Sequence, residues 1–210
     1  MNLWSRWVAL CSEREQGRPQ AIFRIVIGAI FLVDAARILA GGEIVDPLYT
    51  LIADGGFATR ESTQWLVSAL GGHTPGVAHA LYAACGLLAS ALCVGIGGRL
   101  TPFLLLQVQL ALRSLPPDVS GAYDLVLAHA LFLLFLGGAD QTLSLACRIR
   151  TGRWTSDAPI WALPRYLMVL QITIIYVGAG LAKQGLGWFF PYDALHYSLQ
   201  RASYLRVELD

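Results

Sequence analysis

The chain has 210 residues, of which 56% are hydrophobic and 14% charged, with a mean hydropathy of +0.56. Soluble domains carry about a quarter charged residues, so this composition excludes an ordinary water-soluble globule and reads as an integral membrane protein. A net charge of +1 at pH 7 sets nucleic acid aside as a partner.

Residues 1–19 read as a cytoplasmic interfacial segment. Leu3, Trp4, Trp7, Val8 and Cys11 share one helical stripe, the pattern of a short helix lying on a membrane surface. A disordered tail with two interfacial tryptophans satisfies the same pattern. The first apolar run starts late and lacks a small-residue cleavage site, so no cleavable signal peptide is expected. Five segments then approach the length that crosses a bilayer: 20–40, 76–97, 100–116, 122–138 and 164–184. Backbone groups facing lipid must bond within their own segment, so each is expected to be helical. The predicted fold is an all-α integral membrane protein of about five transmembrane helices with interfacial amphipathic helices beside them. Residues 57–70 and 194–205 are further interfacial candidates.

The arginines orient these spans. Arg6, Arg14, Arg18, Arg99, Arg148, Arg150, Arg153 and Arg165 fall at one end, whereas the 41–74 connection has only Arg60 and the 117–121 connection none. The positive-inside rule places the N-terminus in the cytoplasm and the end of the fifth span outside.

With that orientation, most ionisable residues within the spans lie in their outer halves: Asp34, Arg37, His79, Arg113, Asp124, His129 and Lys183. An arginine or lysine can snorkel to the surface, but a short carboxylate needs a partner. Asp34, Arg37, Arg113, Asp124 and Lys183 are therefore expected around an outward-opening polar cavity. Lys183 is the one lysine in the chain. Tyr176, Ala179, Gly180 and Lys183 share a helical face, and the small residues there suggest a close-packed seam. Such a seam would favour a neutral lysine that acts as a base. A helix contact with a lysine capping the span fits the same residues. Beyond it, Trp188 to Tyr192 read as an outer aromatic belt, and His196 as an interface residue. The four histidines show no HxxxH or HExxH spacing, and no metal site is expected. Cys11, Cys85, Cys93 and Cys147 form no CxxC and read as free thiols.

The run YVGAGLAKQGLGWF resembles a "Y-x-x-AGL-x-K…W" segment of the vitamin K-dependent gamma-carboxylases and of their bacterial relatives, the horizontally transferred transmembrane (HTTM) proteins. The opening AIFRIVIGAIFLVDAARIL and the stretch from RLTPFLLLQ to DQTLSL resemble the same group, so the likeness covers most of residues 20–200. It implies an HTTM-like membrane domain over 20–210, in a bacterial inner membrane. It also implies a quinol cofactor such as reduced vitamin K, with Lys183 as the catalytic base and Tyr176, Gly180 and Trp188 beside the cofactor. Asp34, Arg37, Arg113, Asp124 and His129 would form the supporting polar cluster, with the bilayer and a quinone as partners. The carboxylases carry a functional histidine early in the span matching 122–138. Here Tyr123 or Asp124 takes that place and His129 follows more than a turn later. They also carry a large luminal domain and further spans, so the chain reads as a fragment or a short member. The alternative is a non-catalytic membrane scaffold or lipid- or quinone-binding module. A transporter is disfavoured because no internal repeat or broken-helix pair is evident.

Overall fold

Thr74 shows how the sequence punctuates its helices. Its hydroxyl accepts from the Val77 amide at 3.3 Å, and Pro75 occupies the first turn, where a missing N–H costs nothing. The helix so begun ends at Gly95, whose φ of 76° lets its amide return to the Ala91 carbonyl at 2.9 Å. A side chain at Gly95 would run into the Arg24 guanidinium, so this close approach also requires glycine.

The structure is a computed structural model that describes residues 2–41, 46–115 and 121–183, without the side chains of Leu3 and Ala122. Among these residues the α-helices are α1 (Leu3–Ser12), α2 (Arg18–Gly41), α3 (Trp65–Ala69), α4 (Pro75–Val94), α5 (Leu100–Ser114), α6 (Ala122–Gly137), α7 (Leu145–Thr151) and α8 (Leu163–Ala182). Single 3-10 turns cover Asp46–Tyr49 and Ile52–Asp54. Two short strands, β1 (Arg14–Gln16) and β2 (Pro159–Trp161), pair antiparallel with Glu15 opposite Ile160. The described residues are thus all-α apart from this small pairing and an isolated bridge between Leu51 and Ala58.

Helix α2 packs on α4, α4 on α5 and α5 on α6, and α6 returns to α2. The core is built from small and aliphatic side chains: Ala21, Ile27, Phe31 and Ala35 of α2 face Leu81, Cys85, Ala89 and Leu92 of α4, with Leu105, Ala111 and Leu131 behind them. Gly28 lets α2 come close. A Cβ there would stand 2.6 Å from Cys93 Sγ and 3.1 Å from the Ala89 carbonyl oxygen.

The chain divides into two compact units at Tyr166–Leu167. Within the first, β1–β2 pairing brings the N-terminal segment to the start of α8. Arg165 Nε donates to Glu15 Oε2 at 2.6 Å, and the Tyr166 hydroxyl donates to Glu13 Oε2 at 2.8 Å. In the second unit, α8 from Leu167 onward exposes most of its side chains.

All five long apolar segments are helical. Two of them, α4 and α8, are both long and apolar enough to cross a membrane, with mean hydropathies of 1.9 and 1.5. At 1.5 Å per residue, α5 and α6 measure about 22 Å and 24 Å, short of a hydrocarbon layer of about 30 Å. The stripe in residues 3–11 is helical as expected, with Trp4, Trp7 and Val8 exposed. The helix expected over 57–70 shrinks to Trp65–Ala69, because Gln64 caps it by accepting from the Leu66 and Val67 amides and Gly71 and Gly72 follow. The expected helix over 194–205 lies outside the described residues. Among the described cysteines all four are free, and Cys85 and Cys147 are buried.

Candidate functional site

Val26, Ile30, Val33 and Arg37 recur at helical spacing and form one face of α2. That face lines an open cleft of about 480 Å³, whose opposite wall is Gln109 of α5 with Tyr123, Asp124 and Leu127 of α6. From Val26 to Arg37 the cleft follows α2 for about 16 Å. It is apolar as far as Val33, and the polar side chains gather from Asp34 onward.

A second cavity of about 150 Å³ adjoins the first and is lined by Tyr49, Tyr82, Cys85, Leu112 and Arg113, among others. Asp34, Gln109, Tyr123 and Asp124 line both spaces and so form the wall between them. Asp124 is fixed twice. One carboxylate oxygen accepts from the Gly121 amide at 2.8 Å, as an early acid does at a helix start, and the other accepts from Gln109 Nε2 at 3.4 Å. Tyr49 and Tyr82 share a hydroxyl hydrogen bond of 2.8 Å with their rings edge to face. Burial pushes the Tyr49 phenol above its ordinary range, with the Tyr82 hydrogen bond opposing. Beside the chamber, His79 Nε2 lies 2.6 Å from Asp46 Oδ1.

Asp34, Arg37, Arg113 and Asp124 all line one or both of these spaces. Asp34 and Arg37 stand three residues apart on α2, yet among the described residues neither takes part in an ion pair within 4.0 Å. Two carboxylates and two guanidinium groups instead surround the two cavities. His129 is exposed and lines neither.

Lys183, Tyr176 and Gly180 belong to the second unit. Lys183 follows the last residue of α8, is exposed, and donates its backbone amide to Gly180 O at 3.2 Å. Tyr176 is 75% exposed. Within the described part of the second unit, a Cβ on Gly178 or Gly180 would meet nothing within 4 Å, so α8 alone forms no close-packed seam around Gly180. Trp188 and His196 lie outside them.

No family model matches the chain, and no curated protein or solved structure does. Chemistry must therefore be read from the geometry. Among the described residues no group of three or more His, Cys, Asp or Glu is placed to hold a metal ion. The cluster offers carboxylate and phenol oxygens as acceptors and guanidinium and amide nitrogens as donors, at the head of an apolar groove. The sequence reading missed Gln109, Tyr49 and Tyr82. Gln109 was visible as an amide within LLLQVQLALR, four residues before Arg113 and so on the same face. Tyr49 had no such signal, because it arrives from a connection rather than a helix.

Proposed function

We propose that this is a polytopic helical membrane protein, with α2, α4, α5, α6 and α8 crossing the bilayer and the N-terminus in the cytoplasm. We further propose that it is a non-catalytic module that holds an amphiphile of the lipid or quinone class. The observation that carries this is the α2 cleft, apolar from Val26 to Val33 and headed by Asp34, Arg37, Gln109, Tyr123 and Asp124. Its volume falls within the usual range of small-ligand sites. An apolar tail fits along the groove, and a polar ring or headgroup fits at its head. A quinone suits these residues: Arg37 and Gln109 can donate to its carbonyl oxygens, and Asp34 or Asp124 can accept from a quinol hydroxyl.

The test is binding of a short-tailed quinone and of a short-chain phospholipid to the purified full chain in detergent. Ile30→Trp fills the groove without touching the charged residues. It is expected to weaken binding at least about tenfold, the loss of roughly 1.4 kcal/mol of contact, with the melting temperature retained. Equal binding to both proteins would contradict the assignment.

The YVGAGLAKQGLGWF pattern favours a second reading, a quinol-dependent, carboxylase-like enzyme of the HTTM group. Lys183 would take the proton from a quinol hydroxyl. A quinol-dependent activity lost in Lys183→Ala and in Lys183→Arg would support a base there, since arginine keeps the charge but cannot accept a proton. Activity retained in Lys183→Ala would remove it.

A further inference from the structure

The opposite end of the bundle carries a cavity of about 340 Å³ that the proposed function leaves unused. Glycine turns shape it. Gly98 precedes α5 with φ 56°, and Gly138 follows α6 with φ 65°, both in the left-handed region that glycine tolerates. These turns bring two charged side chains to the rim. A Cβ on Gly138 would stand 3.5 Å from Arg99 Nε, and one on Gly98 would stand 3.4 Å from Asp140 Oδ2. Arg14 of β1 and its strand partner Trp161 complete the lining.

Neighbouring polar groups are already engaged. Trp161 Nε1 donates to the Cys11 carbonyl, and Gln141 Oε1 accepts from Arg150 Nη2 at 2.9 Å. By contrast, no hydrogen bond or ion pair among the described residues uses the side chain of Arg14 or Arg99. Asp140 is likewise not paired with either arginine within 4.0 Å. The cavity thus offers two guanidinium forks and one separate carboxylate, a formal charge of +1.

We propose that this cavity binds a phosphate ester, with Arg14 and Arg99 holding the phosphate oxygens and Asp140 accepting from a hydroxyl or ammonium on the ester's alcohol. Planar guanidinium forks match phosphate oxygens in pairs, and a carboxylate beside them selects a headgroup that carries a donor. A bare anion gains nothing from Asp140, whereas phosphoglycerol or phosphoethanolamine uses all three groups. The volume exceeds what a lone inorganic ion fills and enters the range of small-ligand pockets. Two sources carry this chemistry: a phospholipid headgroup at the cytoplasmic leaflet, and a soluble phosphate ester.

Native mass spectrometry of the full chain in detergent tests the site. The probes are dihexanoyl-phosphatidylglycerol, dihexanoyl-phosphatidylethanolamine and glycerol phosphate. Apparent affinity for at least one probe is expected to fall about tenfold in Arg14→Gln and in Arg99→Gln, the effect of losing one charge-assisted contact. Arg153→Gln, an exposed arginine that does not line the cavity, should leave it unchanged. Loss confined to the phospholipids assigns the site to lipid, and loss confined to glycerol phosphate assigns it to a soluble ester. Should Arg99→Gln alter the melting temperature, Arg14→Gln decides. The proposal is overturned if no probe binds, if Arg14→Gln binds as the wild type does, or if Arg153→Gln loses as much as the cavity variants.

Discussion

Arg24 is 2% exposed, yet it is a cation within an apolar helix. Its Nη1 donates to Leu92 O at 2.9 Å and its Nη2 to Leu143 O at 2.7 Å. The first carbonyl lies in the last turn of α4, where it also accepts from the Gly95 amide at 3.2 Å. The second belongs to a residue with φ 48°, just before α7. One side chain therefore ties α2 to the end of α4 and to the connection entering α7. Arg24→Met should lower stability by about 3 kcal/mol, the scale of two buried charge-assisted hydrogen bonds, read as the midpoint of denaturation in detergent. A midpoint equal to the wild type's would contradict that role. His73 supplies a pH dependence. Its Nδ1 accepts from the Ser62 amide at 3.2 Å, and its buried Nε2 has no hydrogen-bond partner among the described residues. Burial holds its pKa below the ordinary 6.5, with Glu61 opposing. The folded state thus binds this proton less readily than the unfolded chain. The stability that follows is complete above pH 6.5 and is lost as pH falls toward the lower folded value. Hydrogen exchange at Ser62, corrected for intrinsic rates, should show protection decreasing as pH is lowered through this range, and His73→Asn should flatten the dependence. Equal slopes in the two proteins would remove His73 as the cause.

At the scale of elements, the closest contact is that of α2 with α4. Gly28→Val should force these helices apart, because the Ala89 carbonyl and Cys93 amide near its Cβ are backbone and cannot swing away. A loss of about 2 kcal/mol is expected, the usual cost of overpacking, measured by thermal denaturation. A value near zero would mean that the helices slide freely. The helices themselves were readable in advance. Apolar runs of sufficient length mark them. The strand pair was not readable. Arg14–Gln16 and Pro159–Trp161 are three residues each, separated by the whole bundle, and no local periodicity announces a pairing that only the folded helices bring about. The Gln109 contact to Asp124 was hidden for a related reason: which turn of α5 faces which turn of α6 depends on packing, not on spacing along either helix.

Across the molecule, Arg14, Arg99 and Asp140 gather with β1 and β2 at one end of the first unit, whereas Asp34, Arg37, Arg113, Asp124 and the tyrosine pair gather at the other. Asp34, Arg37, Arg113 and Asp124 were legible as candidates because alternating helices return to the same end. The segments 100–116 and 122–138 have 17 residues each, at the short limit for a span, and the helices within them are shorter still. Lys183 drew notice as the one lysine, but small residues before it gave a packing expectation that the described part of the second unit does not meet. The proposed placement of the two ends on opposite sides of a bilayer is tested most directly by thiol labelling in intact cells. A membrane-impermeant maleimide is applied to a cysteine-free background carrying either Ala53→Cys, on the acid-bearing connection, or Arg153→Cys, on the arginine-rich one. Labelling of Ala53→Cys in intact cells, with Arg153→Cys labelled only after permeabilisation, is the expected result; labelling of both positions from the same side would contradict it.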